Sequence, residues 1–204
     1  MASKLLLAPW LMTILYSSIP LFWFAIHPLA PRWRQLRRSP YLFLLPMWAA
    51  IIAMLGIVAW PWREFRLYTG WWHALAAVPA CLLWSSSLRI YRRIGPEFGL
   101  RNFIGETELR SQQSEEAPVT HGLHARMRHP IYFAHLMMMS GWAVVSGLAS
   151  GFALLAVSLL CTFPLMVRME ERELEKRFGG SYMRYKRSVP LLPWFGRKPA
   201  EERA

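Results

Sequence analysis

The sequence contains no aspartate; all twelve of its acidic residues are glutamate. That absence removes EF-hand calcium loops, aspartic dyads and the metal-holding Asp of kinase-type phosphoryl transfer. Cysteine is scarce too. Cys81 and Cys161 each lie deep in an apolar run, with no CxxC and no His at metal-ligand spacing, and are expected to be small core hydrophobes. Acid is also outnumbered, with 24 Lys+Arg against 12 Glu for a net charge of +12. A nucleic-acid binder would carry such a charge, but rarely alongside 54% hydrophobic residues, 11 Trp, 11 Phe and 11 Met. Charge and apolar surface must therefore be segregated along the chain.

They are. A bilayer core of about 30 Å takes about 20 apolar residues at a rise of about 1.5 Å each. Five windows approach that length, namely Leu5 to Ile26, Tyr41 to Trp60, Trp71 to Leu88, Pro130 to Ser146 and Ala149 to Val167. Gly147, Ser150 and Gly151 make the link between the last two a tight turn, so these segments are expected to form an antiparallel hairpin. The predicted fold class is all-α integral membrane, with five transmembrane helices and a cytoplasmic C-terminal amphipathic helix.

The basic residues orient this bundle, because cytoplasmic loops carry the Lys and Arg excess. Alternate connecting segments place 21 of the 24 basic residues on one side and three on the other. The N-terminus is accordingly expected outside and the C-terminus in the cytoplasm, with a bacterial inner membrane as the expected location. Trp60, Trp62, Trp71 and Trp72 then fall at the outer boundary, where indole rings prefer to sit. The charge is thus mainly a topology signal that also draws the chain to anionic lipid headgroups, and the bilayer is the expected partner, not nucleic acid. The first apolar segment is longer than a signal-peptide core and its basic residues follow it, so it is read as a retained helix. The chain divides into a three-helix part over 1–91, a cytoplasmic loop over 92–129, a hairpin over 130–167 and a tail over 168–204, all in one membrane domain. Within the loop, Ser111 to Glu116 is expected to be exposed, and Gly95 to Gly105, with Phe98, Leu100, Phe103 and Ile104, to lie on the membrane face.

Ionisable groups at a membrane edge are costly, which singles out two clusters. The first is Gly122-Leu-His-Ala-Arg-Met-Arg-His-Pro-Ile-Tyr132. Pro130 fits the first helical position and puts His129 at the N-cap, so Arg128 and His129 stand at a helix N-terminus, a ready site for a carboxylate or phosphate. The same basic residues would serve equally as an interfacial anchor. The second cluster, Arg168-Met-Glu-Glu-Arg-Glu-Leu-Glu-Lys-Arg-Phe-Gly-Gly180, leaves the last apolar window directly. A salt-bridge-laced helix, with Glu173 facing Arg177 at i,i+4, accounts for Glu173 and Glu175. It does not account for Glu170 and Glu171, within about one turn of the lipid boundary.

In order, Arg128-His129-Pro130-x-Tyr132, an apolar hairpin, Glu170-Glu171-x-x-Leu174, Phe178-Gly179-x-x-Tyr182-x-x-Tyr185 and Val189-Pro190 resemble the integral-membrane methyltransferases of the isoprenylcysteine carboxyl methyltransferase type. That superfamily also includes phospholipid N-methyltransferases and methanethiol S-methyltransferases. The resemblance covers Val119 to Pro193 and implies that the last hairpin and the tail enclose S-adenosylmethionine. Carried over by position, His129, Tyr132 and Glu170 contact the cofactor, Val119 and His124 line it, and Arg128 completes the cofactor set. The family commonly has an aromatic residue where His124 stands. Isoprenylcysteine enzymes carry a substrate-binding Arg one turn before the Glu, where this chain has Met166; Arg168 is two positions away. Phe98-Gly-Leu-Arg-Asn-Phe103 resembles a stretch of the thiol enzymes. The chemistry agrees with the cofactor, since a carboxylate suits a helix N-terminus and a sulfonium suits a carboxylate or an aromatic face.

The catalytic residues expected are Glu171 and Arg168, with Glu171 or His129 as the base if the acceptor is a thiol or a protonated amine. No metal is expected, because His121, His124 and His129 are poorly spaced for one. His73 and His135 are read as hydrogen-bonded core residues, although His135 follows Tyr132 by three and could face the pocket. The expected activity is methyl transfer to a lipophilic or membrane-permeant acceptor: a phospholipid amine, a prenylcysteine-like carboxylate or a small thiol. The competing expectation is a non-catalytic membrane subunit whose charged clusters are docking surfaces.

Overall fold

A computed structural model describes residues 6–36, 39–103, 109 and 119–192, with the backbone alone described for 97–103. The exposed loop expected at Ser111 to Glu116, and the side chains expected at the membrane face between Phe98 and Ile104, lie outside the described residues. The elements are α1 (Leu7–Ile26), α2 (Ala30–Arg34), α3 (Tyr41–Ala59), α4 (Trp71–Phe103), α5 (Pro130–Ser146), α6 (Ala149–Val157), α7 (Phe163–Phe178) and α8 (Gly180–Ser188). Three short turns join this series: 3₁₀ turns at Trp60–Trp62 and Gly122–Ala125, and a π-turn at Ser158–Thr162.

Among the described residues four helices are long and apolar enough to cross a membrane: Leu7–Ile26, Tyr41–Trp62, Trp71–Pro96 and the continuous Ala149–Phe178. The fifth expected span, α5, has 17 residues and falls short of the others, because Pro130 fixes its first turn and Gly147 ends it. It occupies the middle of the bundle between α1, α4 and α6. A helix surrounded by protein needs no continuous lipid-facing surface, so α5 tolerates His135, Ser140 and Ser146.

Small residues bring the helices together, as expected where lipid removes the hydrophobic drive for association. Gly141 of α5 lies under the Trp84 indole, where a Cβ would come within 2.3 Å of Nε1. Beside it, the Ser87 hydroxyl donates to Ala134 O at 2.7 Å. The Trp10 indole donates to Ser150 Oγ at 3.1 Å, and that of Trp48 to Ser18 Oγ at 2.8 Å. The hydroxyls of Thr13 and Ser17 donate back to carbonyls four residues earlier in α1, which satisfies them without solvent.

Prolines mark the irregularities. Pro164 cannot donate to the preceding turn, and the helix absorbs the loss in the π-turn Ser158–Thr162, so α6 and α7 form one bent rod. Pro20 likewise leaves the carbonyl of Tyr16 without its helical donor. Gly147 takes a left-handed conformation (φ +62°) at the hairpin turn, where a Cβ would press on the Tyr68 ring at 2.8 Å. The loop after α3 is strapped to this turn by Leu67 N–H to Gly147 O at 2.8 Å and Ala149 N–H to Phe65 O at 2.9 Å. The Tyr68 hydroxyl caps Val144 O.

Two expectations need correction. Cys81 and Cys161 are exposed, on the outer faces of α4 and the π-turn, and not in the core. Helix α4 continues to Phe103, so residues 92–103 of the expected loop are helical. Trp60, Trp62, Trp71 and Trp72 are exposed together at one end of the bundle, with Trp71 and Trp72 stacked at 4.0 Å.

Candidate active site

At the opposite end, where α1 and α3 meet α5 and α7, lies a cavity of about 430 Å³. One side is apolar and aromatic, with Ile19, Phe22 and Trp23 from α1 and Tyr41, Leu45 and Trp48 from α3. The other side carries His124, Arg128, His129, Tyr132, His135, Phe163, Met166 and Glu170. Helical periodicity produces both surfaces. Residues 129, 132 and 135 follow one another by three on α5, and 163, 166 and 170 by three and four on α7.

His129 is the N-cap residue of α5, ahead of Pro130. Its ring lies parallel to that of Tyr132, with centroids 5.2 Å apart. Its Nδ1 stands 3.3 Å from Glu170 Oε2 and its Nε2 3.3 Å from Glu171 Oε1, so one buried imidazole bridges both carboxylates. The Glu170 contact is an ion pair by distance without hydrogen-bond geometry, leaving a buried Glu170 oxygen with no hydrogen bond. Burial opposes the charge on His129, and the two carboxylates more than offset it, raising its pKa to about 9. His129 is therefore an imidazolium at neutral pH.

Glu171 sits behind the cavity wall. Arg128 Nε donates to its Oε1 at 2.8 Å and Lys186 Nζ to its Oε2 at 2.8 Å. Lys186 also reaches Glu175 at 2.6 Å, so one cation from α8 neutralises two like charges spaced i,i+4 on α7. These contacts raise the Lys186 pKa. Arg128 spends further donors on the tail, with Nη1 to Lys186 O at 2.9 Å and to Val189 O at 2.7 Å, and its own N–H to Pro190 O at 2.9 Å. The Tyr185 hydroxyl donates to His124 O at 2.8 Å. Burial pushes the Tyr182 and Tyr185 hydroxyl pKa values up, and both rings pack with Val189 against Leu174 and Phe178. Helix α8 is thus clamped to the segment before α5 by one half-buried arginine. Arg128 acts here as a brace in addition to lining the cavity, which the sequence did not indicate.

The structure brings His124, Arg128, His129, Tyr132 and Glu170 to one cavity. Glu171 belongs to their ion network without lining the cavity. Val119 is half-buried and Arg168 exposed, and neither lines it. The reason for Arg168 is angular: two positions on a helix turn through about 200°, so it points away from the face shared by Met166 and Glu170. The expected Glu173–Arg177 pair is replaced by one across helices. Glu173 meets Arg34 Nη2 at 3.0 Å and His27 Nδ1 at 3.3 Å, tying the α1–α2 corner to α7. Sequence reasoning missed this tie, Lys186, and the entire α1–α3 wall. A signal for the wall exists in the spacings 19, 22, 23 and 41, 45, 48, each a single helix face, but apolar stripes also face lipid.

Helices that can span a membrane and a half-charged, half-apolar cavity at one end of the bundle define an integral-membrane protein with an enzyme-like site. Residues 71–181 match the family model for phospholipid methyltransferase, and the chain belongs to that family. Among curated relatives, methanethiol S-methyltransferase 2 of Bradyrhizobium diazoefficiens is 33% identical over 112 residues, which are 52% of this chain and 40% of that protein. The chain therefore aligns with less than half the length of that relative. No solved structure matches.

Proposed function

We propose that the protein transfers a methyl group from S-adenosylmethionine to a lipophilic or membrane-permeant acceptor, at the cytoplasmic end of a bundle whose N-terminus lies outside. The observation that carries this reading is Glu170, a half-buried carboxylate kept ionised by the neighbouring His129 imidazolium, on the charged wall of a cavity whose other wall is apolar. An ionised carboxylate at a cavity wall attracts a cation or a hydrogen-bond donor entering that cavity. S-adenosylmethionine would supply positive charge as a sulfonium and an ammonium, and its carboxylate would suit the N-terminal end of α5. The residues fit.

When bound, S-adenosylmethionine supplies an electrophilic methyl on a positive sulfur. The chain's own part is to position and to exclude water. Glu170 and the Tyr132 ring would hold positive charge, His129 keeps Glu170 ionised and in place, and the Arg128–Glu171–Lys186 network fixes both His129 and the tail. The α1–α3 wall offers the acceptor a surface with no charged side chain, which suits a thiol or a lipid chain better than a free ionic metabolite. Alignment of this kind is worth roughly 7–11 kcal/mol at best. The cytoplasmic placement is supported by the 21 basic residues on the side where the cavity lies.

The experiment is calorimetric titration of the detergent-solubilised protein with S-adenosylhomocysteine, followed by labelled-methyl transfer partitioned into lipid, protein and volatile fractions. Saturable binding that Glu170→Gln weakens is the expected result. Its absence in the unaltered protein overturns the reading.

A further inference from the structure

Helix α1 is pinned to the charged side of the molecule at two points that flank the cavity. On one flank the Tyr16 carbonyl, which Pro20 leaves without a helical donor, meets His135 Nε2 of α5 at 3.1 Å. On the other, Glu173 of α7 accepts from His27 Nδ1 at 3.3 Å through Oε2 and from Arg34 Nη2 at 3.0 Å through Oε1. Tyr16 and His27 are about 16 Å apart along the helix. The cavity residues Ile19, Phe22 and Trp23 lie between them, so this stretch of α1 is a beam held at both ends.

The Glu173 end bears directly on the apolar wall. The buried His27 ring stacks on the Trp23 indole, with centroids 5.1 Å apart and planes 21° from parallel. Trp23 lines the cavity, and Glu173 stands one turn from the cavity residue Glu170 on α7. A line of contact thus runs from α7 through Glu173 and His27 to an aromatic ring of the opposite wall. Behind that ring Ile26, Leu44 and Leu109 form a small apolar cluster that also backs Phe22 and Tyr41. Apolar contact is non-directional and fixes no spacing, whereas hydrogen bonds to a carboxylate fix both distance and angle. Because His27 ends α1 and Arg34 belongs to α2, one carboxylate sets the corner between these helices as well as its distance from α7. Glu173 and Arg34 keep only 20% and 21% of their side-chain exposure, so the pair is shielded from the screening that makes surface ion pairs weak.

We propose that Glu173 is a positioning residue for the methyl acceptor: through His27 and Arg34 it sets the spacing between the α1 wall, Trp23 above all, and the Glu170 side of the cavity. This rests on the function proposed above. Glu173 does not itself line the cavity and acts only through α1. Its loss therefore widens the acceptor's side and leaves the charged side in place, since that side is held by its own contacts among Arg128, Glu171 and Lys186.

The test uses the full chain in detergent, with S-adenosylhomocysteine as binding probe and with 1-hexanethiol and phosphatidylethanolamine in mixed micelles as acceptors. Trp23 is followed by fluorine NMR after 5-fluorotryptophan labelling, its resonance assigned by its disappearance in Trp23→Phe. Glu173→Gln is expected to shift that resonance and to raise the acceptor KM about tenfold, with kcat and probe affinity each within about threefold of wild type. Arg34→Met should act in the same direction, and the double variant should lose less than the two singles combined, since both break one tie. Arg177→Met removes the basic residue one turn from Glu173 on α7, whose guanidinium lies over the Phe178 ring, and should change none of these readings. The proposal is overturned by a Glu173→Gln protein whose Trp23 resonance and acceptor KM match wild type, or by one that loses probe affinity as much as it gains in KM. Additive effects of Glu173→Gln and Arg34→Met, or the same pattern in Arg177→Met, overturn it as well. Failure of the unaltered protein to bind the probe condemns the function proposed above, whereas an unmoved Trp23 resonance condemns the tie alone. Probe binding with transfer to neither acceptor condemns both.

Discussion

On one side of the cavity α5, α7 and α8 hold Arg128, His129, Glu170, Glu171 and Lys186 in mutual contact, whereas on the other α1 and α3 present Ile19, Phe22, Trp23, Tyr41, Leu45 and Trp48 without a charge. The charged wall falls almost wholly within residues 71–181, the stretch the family model matches, and the apolar wall falls wholly outside it. The difference separates two tasks. Binding a zwitterionic cofactor calls for fixed charges, and charges buried at a membrane edge persist only when each is paired. Accepting a lipophilic molecule needs only apolar surface, which many sequences supply. The charged wall is held by paired side chains within the stretch that matches the family, and under the proposed function the apolar wall is the one that would meet the acceptor.

The largest expected break is Arg128→Met. It strips Glu171 of one cation and leaves the carbonyls of Lys186 and Val189 without their donor, at a cost of about 3–5 kcal/mol. Titration with SDS in mixed micelles measures this, and a cost below about 1 kcal/mol would show that the clamp on α8 is dispensable. Next is Glu170→Gln, expected to weaken S-adenosylhomocysteine binding about tenfold or more and to lower the unfolding midpoint as well, because the His129 imidazolium loses one of its two carboxylates.

The third acts through pH. The folded state raises the His129 pKa from 6.5 to about 9, so it binds that proton more tightly than the unfolded chain does. The resulting stabilisation is complete below about 6.5 and is lost as pH rises through about 9. The unfolding midpoint should fall between pH 7 and 10, and His129→Gln should flatten that slope; a wild-type midpoint that rises over this range contradicts the assignment. Fourth, Trp48→Ala on the apolar wall should raise the acceptor KM severalfold with the affinity for S-adenosylhomocysteine unchanged. An equal effect on both ligands would merge the two walls into one site. The smallest effect belongs to Arg168→Ala, which should leave both affinities and the unfolding midpoint unaltered, because the side chain is exposed on the far face of α7.

Much of this was legible in the residues because it rests on local rules. Apolar runs gave the helices, Pro130 and Gly147 bounded α5, and the order of RHPxY, EE and FGxxYxxY carried the family. Legibility failed where a residue's role depends on a neighbour distant in sequence. Glu173 has Arg177 one turn away, yet pairs with Arg34 and His27 from the other end of the chain. Cys81 and Cys161 read as core because apolar surroundings in sequence do not distinguish the inside of a bundle from its lipid face.

By itself the sequence determined the all-helical class, the places where the apolar helices lie and the segregation of charge along the chain, since apolar run length, proline and glycine placement and charge distribution are properties of the chain in one dimension. The tertiary structure alone decided which helix lies at the centre, that α1 and α3 complete the cavity, and that Glu173 ties the end of α1 to α7. Those outcomes depend on distances between helices, and a charge or a lone pair acquires its chemistry only from what stands within a few ångströms of it.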